Sequence, residues 1–264
     1  FIMNKCKKLL SNTIIFGIGT FGSKILVFLL MPLYTSVLKK SDFGIVDLII
    51  QTSNLLIPIV SLGIANAVIR FGLDRSIKKS DVFSIGLVTI LLGFGIFLVL
   101  IPVLRRITYI SDYTALIYIF VFMSCLRTLC SQFVRAKEYV RLYALDGVLS
   151  TITIIIFNVL FLVVLKLGIT GYVLAIVISD LLSTTFLFFS ANLKRYIKLK
   201  NINRDLAKAM LKYSIPLIPA TIFWWITNVS NRFIVAYSLG SEANGLFAAS
   251  YKIPTIVVLI SNIF

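Results

Sequence analysis

Six charged residues lie inside long apolar runs and carry what chemistry the sequence offers: Lys24, Arg127, Arg232 and Lys252, with Asp47 and Asp180. A charge at the centre of a bilayer costs about 2.5–3.5 kcal/mol on insertion scales, so it is kept where it meets a wet cavity or an opposite charge. Cations outnumber acids in this set, and a cationic interior suits an anion. Arg grips phosphate oxygens in pairs, while Lys offers a point charge. Asp47 and Asp180 are the candidates for taking up a coupling Na+ or H+. Arg232 and Asp47, near the outer ends of their spans, also fit a structural ion pair or a reach to headgroups. Arg127 shares a helix face with Ser124 and Ser131, which favours the interior, and Asp180 is placed to pair with one of the cations.

Other chemistries are poorly supplied. There is no histidine, and Cys6, Cys125 and Cys130 form an odd set without a CxxC pair. Metal centres, Ser-His or Cys-His catalysis and a disulfide framework all lose their usual residues, and no cofactor is expected. Gly17, Gly19 and Gly22 spell GxGxxG, but no strand precedes them. They read as a flexible, closely packed helix and not as a dinucleotide turn.

The elements that hold these residues are helices of membrane length. With 59% hydrophobic residues, 14% charged and a mean hydropathy of +1.01, the composition lies outside the soluble globular range. Apolar stretches of about 20 residues recur, enough to cross roughly 30 Å of hydrocarbon. The expected spans are 14–38, 43–71, 82–104, 113–134, 145–165, 171–193 and 212–240, with an eighth broken off at Phe264. Turns at Ser41-Asp42, Ser111-Asp112 and Gly168–Gly171 are short. Pro216 and Pro219 predict a bend in the seventh span that, with Gly17 to Gly22 in the first, could serve as a hinge.

An offset of 201 residues carries Leu38 onto Leu239 and Gly44 onto Gly245. Polar residues follow the same register. Thr13, Gly17, Thr20, Lys24 and Thr35 share one stripe, as do Ser214, Thr221, Trp225, Asn228 and Arg232. Gln51 and Asn54 of the second span add to it, and their counterparts Lys252 and Thr255 remain polar. The pattern predicts a duplicated helical bundle with a polar interior. Residues 1–200 would form the first six-helix lobe, and 201–264 the start of the second.

Net charge is +16, and its placement separates nucleic-acid binding from membrane topology. Alternate loops, including Lys5 to Lys8, Arg70 to Lys79, Arg135 to Arg141 and Lys194 to Lys212, hold seventeen cations; the loops between them hold five. The positive-inside rule then puts the N-terminus in the cytoplasm and leaves no need for nucleic acid. In the long connection, Leu206, Met210 and Tyr213 share one face of a short helix that Asn203 can cap, with lysines opposite. Such a helix suits an anionic lipid surface. The start at Phe1 without an initiator, and the end within an apolar run, read as a piece of a longer chain.

Residues 213–220 (YSIPLIPA), Asn231-Arg232-Phe233 and Leu239–Gly245 resemble the seventh-helix region of bacterial Wzx-type polysaccharide flippases. Phe43–Leu48 and Gly63–Phe71 are similar to that family's second helix. The resemblance implies the multidrug/oligosaccharidyl-lipid/polysaccharide exporter superfamily: an all-α, MATE-like transmembrane bundle of two six-helix repeats around a cavity that opens to either side in turn. It implies a multi-pass protein of the bacterial inner membrane that is not an enzyme. Its substrate would be an undecaprenyl-diphosphate-linked oligosaccharide for lipopolysaccharide O-antigen or other cell-surface polysaccharide, with a polysaccharide polymerase and other assembly proteins as partners. A cation-coupled drug exporter would share the fold but favour an acidic cavity. A membrane polysaccharide polymerase or ligase would need a large external loop, which these turns lack. A purely structural membrane protein would not need polar stripes in two repeats.

Overall fold

The computed structural model describes residues 30–99, 101–198 and 202–261, with backbone alone for 103 and 252–261. Thr20, Lys24 and the glycines 17, 19 and 22 lie outside the described residues, as does the side chain of Lys252. The described chain is helical: α1 (Met31–Val37), α2 (Lys40–Val60), α3 (Ile64–Leu73), α4 (Lys79–Leu98), α5 (Thr114–Ala136), α6 (Val140–Asn158), α7 (Gly168–Ser190), α8 (Arg204–Ser214), α9 (Leu217–Leu239) and α10 (Ser241–Ser261). A four-residue helical turn at Ile101–Leu104 and two short 3-10 segments, Thr108–Tyr113 and Leu193–Tyr196, join them. Six segments among the described residues are long and apolar enough to cross a membrane. Large apolar side chains on the outside of the bundle, among them Ile96, Ile152, Ile156 and Val164, are exposed. Such a surface is stable against hydrocarbon and costly against water.

Several boundaries differ from the sequence expectation. The second span is two helices, because Leu62 and Gly63 adopt φ of 50° and 60° between α2 and α3. Left-handed backbone ends a helix, and glycine adopts it without a Cβ penalty. The Gly63 amide donates to the Pro58 carbonyl at 2.9 Å, which satisfies one of the carbonyls left over at the end of α2. The third span stops at Leu98, short of the expected Leu104. Gly168–Gly171, expected as a turn, is the first turn of α7; residues 165–167 reverse the chain instead, with Lys166 at φ 51°. A π-helical stretch, Val159–Val164, extends α6 to that reversal.

The bend expected near Pro216 and Pro219 falls at 215–216, between α8 and α9. Pro219 sits in the first turn of α9, where its missing N–H removes no intrahelical bond. Upstream, the Asn203 side chain accepts from the Leu206 amide at 3.0 Å, the expected cap, and Met210 is buried while the lysines of α8 face outward.

The core runs through α2, α3, α4, α5 and α7, where Ile49, Ile64, Phe83, Leu129, Phe133 and Val173 are almost fully enclosed. One end of the bundle is basic. There the Leu193–Tyr196 segment is tied back by Ser84, which donates to the Tyr196 carbonyl at 2.9 Å and accepts from the Lys198 amide at 2.8 Å. Burial would pull the Lys137 pKa down, but the Tyr196 hydroxyl beside it holds it above the usual lysine value. At the opposite, far end, α2 packs against α10.

Candidate functional site

The candidate charges collect in two separate polar centres. The first is built by α5, α6 and α7. Arg127 Nη1 meets Asp180 Oδ1 at 2.8 Å, its Nη2 lies 4.0 Å from Asp146 Oδ2, and its Nε donates to Ser183 Oγ at 3.1 Å. Ser124 donates to the other Asp180 oxygen and Ser183 to Asp146. One helical turn deeper, the hydroxyls of Thr153 and Ser179 lie 2.7 Å apart, and Ser179 donates to the Ser150 carbonyl at 3.0 Å. Both carboxylates are enclosed, at 3% and 4% side-chain exposure, whereas Arg127 keeps 28%. Arg127 is therefore the least enclosed member of a cluster holding two acids and one cation.

Asp146 was not among the expected interior charges, although the fifth span was expected to begin at residue 145. Asp146, Ser150 and Thr153 recur at helical spacing on one face, which was the signal available. Its inclusion reverses the expected balance: among described side chains the interior holds Arg127 and Arg232 against Asp47, Asp146 and Asp180.

The second centre lies between α2, α9 and α10. Arg232 Nη1 meets Asp47 Oδ1 at 2.5 Å, with side-chain exposures of 8% and 6%, so the ion-pair reading of these two residues describes this structure. Gln51 Nε2 adds a 3.4 Å contact to the same oxygen, and the Tyr251 ring lies 5.0 Å from the guanidinium carbon. Trp225 Nε1 donates to the Gln51 carbonyl at 2.9 Å and its ring packs 5.4 Å from that of Phe233. The indole is thus a packing and hydrogen-bonding group between helices.

Asn244 Nδ2 donates to the Gly44 carbonyl at 3.0 Å. Asp47 Oδ2, Arg232 Nε, Asn231 Oδ1 and Asn244 Oδ1 are buried with no hydrogen-bond partner among the described residues. Unsatisfied buried groups are costly, so this contact is held by tight packing and is not a fully satisfied network.

That packing depends on two glycines. A Cβ on Gly44 would stand 2.0 Å from the Ser241 carbonyl oxygen, and one on Gly245 would stand 2.0 Å from the Lys40 carbonyl oxygen. The offset of 201 residues carries Lys40 onto Ser241 and Gly44 onto Gly245. The contact is therefore reciprocal, as across a two-fold axis. At its exposed rim Lys40 and Glu242 approach to 3.9 Å.

The remaining stripe residues do not converge. Asn54 and Thr221 are exposed, and Asn228 spends its amide on the Trp224 carbonyl at 2.7 Å. No group of three metal-ligating residues occurs among the described residues.

The comparisons agree on architecture. The chain resembles an outward-facing multidrug resistance MATE-family transporter of the MOP superfamily, with a TM-score of 0.74 and 16% identity over 96% of this chain and 62% of that one. It also resembles a MOP superfamily transporter from Pyrococcus furiosus, described as having a binding pocket of reversed polarity, with a TM-score of 0.72 and 16% identity over 94% and 60%. A MATE transporter in its straight conformation gives 0.70, again at 16% identity, over 95% and 60%. The chain spans about 60% of the length of these transporters. No curated protein matches it. Identity this low speaks for the fold alone, a helical bundle arranged as in these transporters. Membership comes from the family model of polysaccharide biosynthesis proteins, which matches residues 9–264. This MATE-like membrane chain belongs to the polysaccharide biosynthesis protein family.

Proposed function

We propose that the protein is a flippase that moves an undecaprenyl-diphosphate-linked oligosaccharide across the bacterial inner membrane for cell-surface polysaccharide assembly. The observation that carries this reading is a polysaccharide biosynthesis family match on a transporter fold. No catalytic step is assigned to any residue. Residues 1–200 would be one lobe and 201–264 the beginning of the other, rocking so that their shared contact parts and closes again. Lys24, Lys252 and the partly exposed Arg127 would meet the diphosphate, with Arg232 available once it leaves Asp47. The loop charge asymmetry supports a cytoplasmic N-terminus. Asp180 and its neighbour Asp146 would take up the coupling Na+ or H+, since one guanidinium leaves a net negative charge on that cluster.

The surplus acid around Arg127 also favours a second reading, a cation-coupled drug exporter. Flipping of a lipid-linked oligosaccharide by the full-length protein in liposomes separates the two. Lys24→Arg is expected to retain most of the flipping and Lys24→Glu to abolish it, because the charge matters more than the shape. If all three proteins leave the oligosaccharide where it was and instead move organic cations, the flippase reading fails. Imposed Na+ and H+ gradients in the same vesicles identify the coupling ion.

A further inference from the structure

Two atoms of the Arg127 cluster stand opposite one another without a hydrogen bond. Arg127 spends Nη1 on Asp180 Oδ1 at 2.8 Å and Nε on Ser183 at 3.1 Å. Ser124 donates to Asp180 Oδ2, and Ser183 to Asp146 Oδ1. That leaves Arg127 Nη2 and Asp146 Oδ2, 4.0 Å apart, and neither makes a hydrogen bond among the described residues. At this separation a single oxygen atom can lie within about 2.8–3.0 Å of both. The charged or titratable side chains that face Asp146, among the described residues, are Arg127 and Cys130 from α5 and Asp180 from α7.

What this gap holds depends on the charge of Asp146. As a carboxylate it is an acceptor only, and with Asp180 it gives the cluster a net negative charge. A phosphate oxygen placed there would meet a like charge at close range in a poorly screened setting. As a protonated carboxyl, Asp146 becomes a donor and the cluster becomes neutral. Arg127 Nη2 and the Asp146 hydroxyl then converge on one acceptor. Oδ2 is the oxygen free to take the proton, because Ser183 already engages Oδ1. Asp180 is the poorer acceptor, since the guanidinium and the Ser124 hydroxyl engage both of its oxygens.

We infer that Asp146 takes up the coupling proton and, once protonated, joins Arg127 in holding a phosphate oxygen of the transported diphosphate. On the flippase reading, on which this rests, proton and lipid diphosphate bind together and each strengthens the other. An exchanger, in which the proton displaces the substrate, requires the opposite sign.

The test measures binding of an undecaprenyl-diphosphate-linked oligosaccharide, purified from cells that make it, to the full-length protein in nanodiscs of uncharged lipid. Each phosphate of this probe keeps one strongly acidic hydroxyl, so its own charge is constant over the range used. Affinity is expected to rise about tenfold between about pH 8 and about pH 6, an ordinary size for coupled sites. Binding in weakly buffered solution should take up protons. Asp146→Asn, whose neutral amide presents a donor in the same place, should bind tightly at both pH values and take up none. Affinity that stays level or falls on acidification overturns the inference, as does a dependence on Na+ in place of protons. So does a pH dependence that survives in Asp146→Asn. Binding and flipping without the pH effect remove this coupling alone, whereas absence of both at every pH removes the flippase reading with it.

Discussion

Arg127 is held by two carboxylates and a serine, and its removal would leave Asp146 and Asp180 enclosed with no cation between them. Breaking a buried pair in this way costs about 3–5 kcal/mol. Arg127→Gln is therefore expected to lower the thermal unfolding midpoint in detergent sharply. Asp146→Asn, which removes the surplus charge and keeps an acceptor for Ser183, should cost less than half as much. Adding Asp146→Asn to Arg127→Gln should recover part of the loss; a double variant less stable than Arg127→Gln alone would contradict the charge argument. The residue types were largely legible beforehand: Arg127, Asp180, Arg232 and Asp47 stand out as charges in apolar runs. Their pairing was less so, because partners 53 and 185 residues apart in sequence are chosen by helix packing and not by local spacing. Asp146 escaped because it stands one residue inside its expected span, where a charge looks like part of a loop.

Helices of membrane length were the most readable elements, since hydropathy over about 20 residues is insensitive to local detail. Their interruptions were harder to see. The α2–α3 break depends on two left-handed residues, and nothing in Ser61-Leu62-Gly63 outweighs the apolar run around it. The α8–α9 break was legible through Pro216. Glycines gave a mixed signal, for the same residue type serves close packing at one site and nothing at another. Gly245→Ala would drive a methyl into the Lys40 carbonyl and is expected to push α10 away from α2. Gly95→Ala, with no atom of the described residues within 4 Å of the new Cβ, should be neutral or stabilising by up to about 1 kcal/mol through helix propensity. Unfolding midpoints of the two variants measured side by side check this. Equal destabilisation would show that the α2–α10 approach is looser than the described geometry.

Across the molecule, the two copies seen in the sequence touch at their equivalent positions, so the far end is closed by a self-matching contact. Lys40 faces α10 where Ser241 faces α2, the Asn244–Gly44 bond joins the same two helices, and the Asp47–Arg232 pair and the Trp225–Gln51 bond join α2 to α9 beside them. Asp47 Oδ2, Arg232 Nε and Asn244 Oδ1, buried here, lack partners among the described residues, and parting the helices would return them to water. That gain offsets part of the packing lost, which is what a contact that must open and close requires. If opening there belongs to the transport cycle, a covalent tie should stop the cycle without disturbing the fold. Lys40 and Glu242 provide the place for it: their side chains approach to 3.9 Å at the rim, at 63% and 69% exposure, and neither belongs to the buried network. A Lys40→Cys/Glu242→Cys variant of the full-length protein, joined through both thiols by a short reducible bis-thiosulfonate linker that replaces the length of the two lost side chains, is expected to fold normally and to lose flipping in liposomes. Reduction should restore it, and the single-cysteine variants should be indifferent to the linker. Full activity in the demonstrably cross-linked protein would mean that this end stays shut throughout transport, and opening at the α2–α10 contact would have to be abandoned.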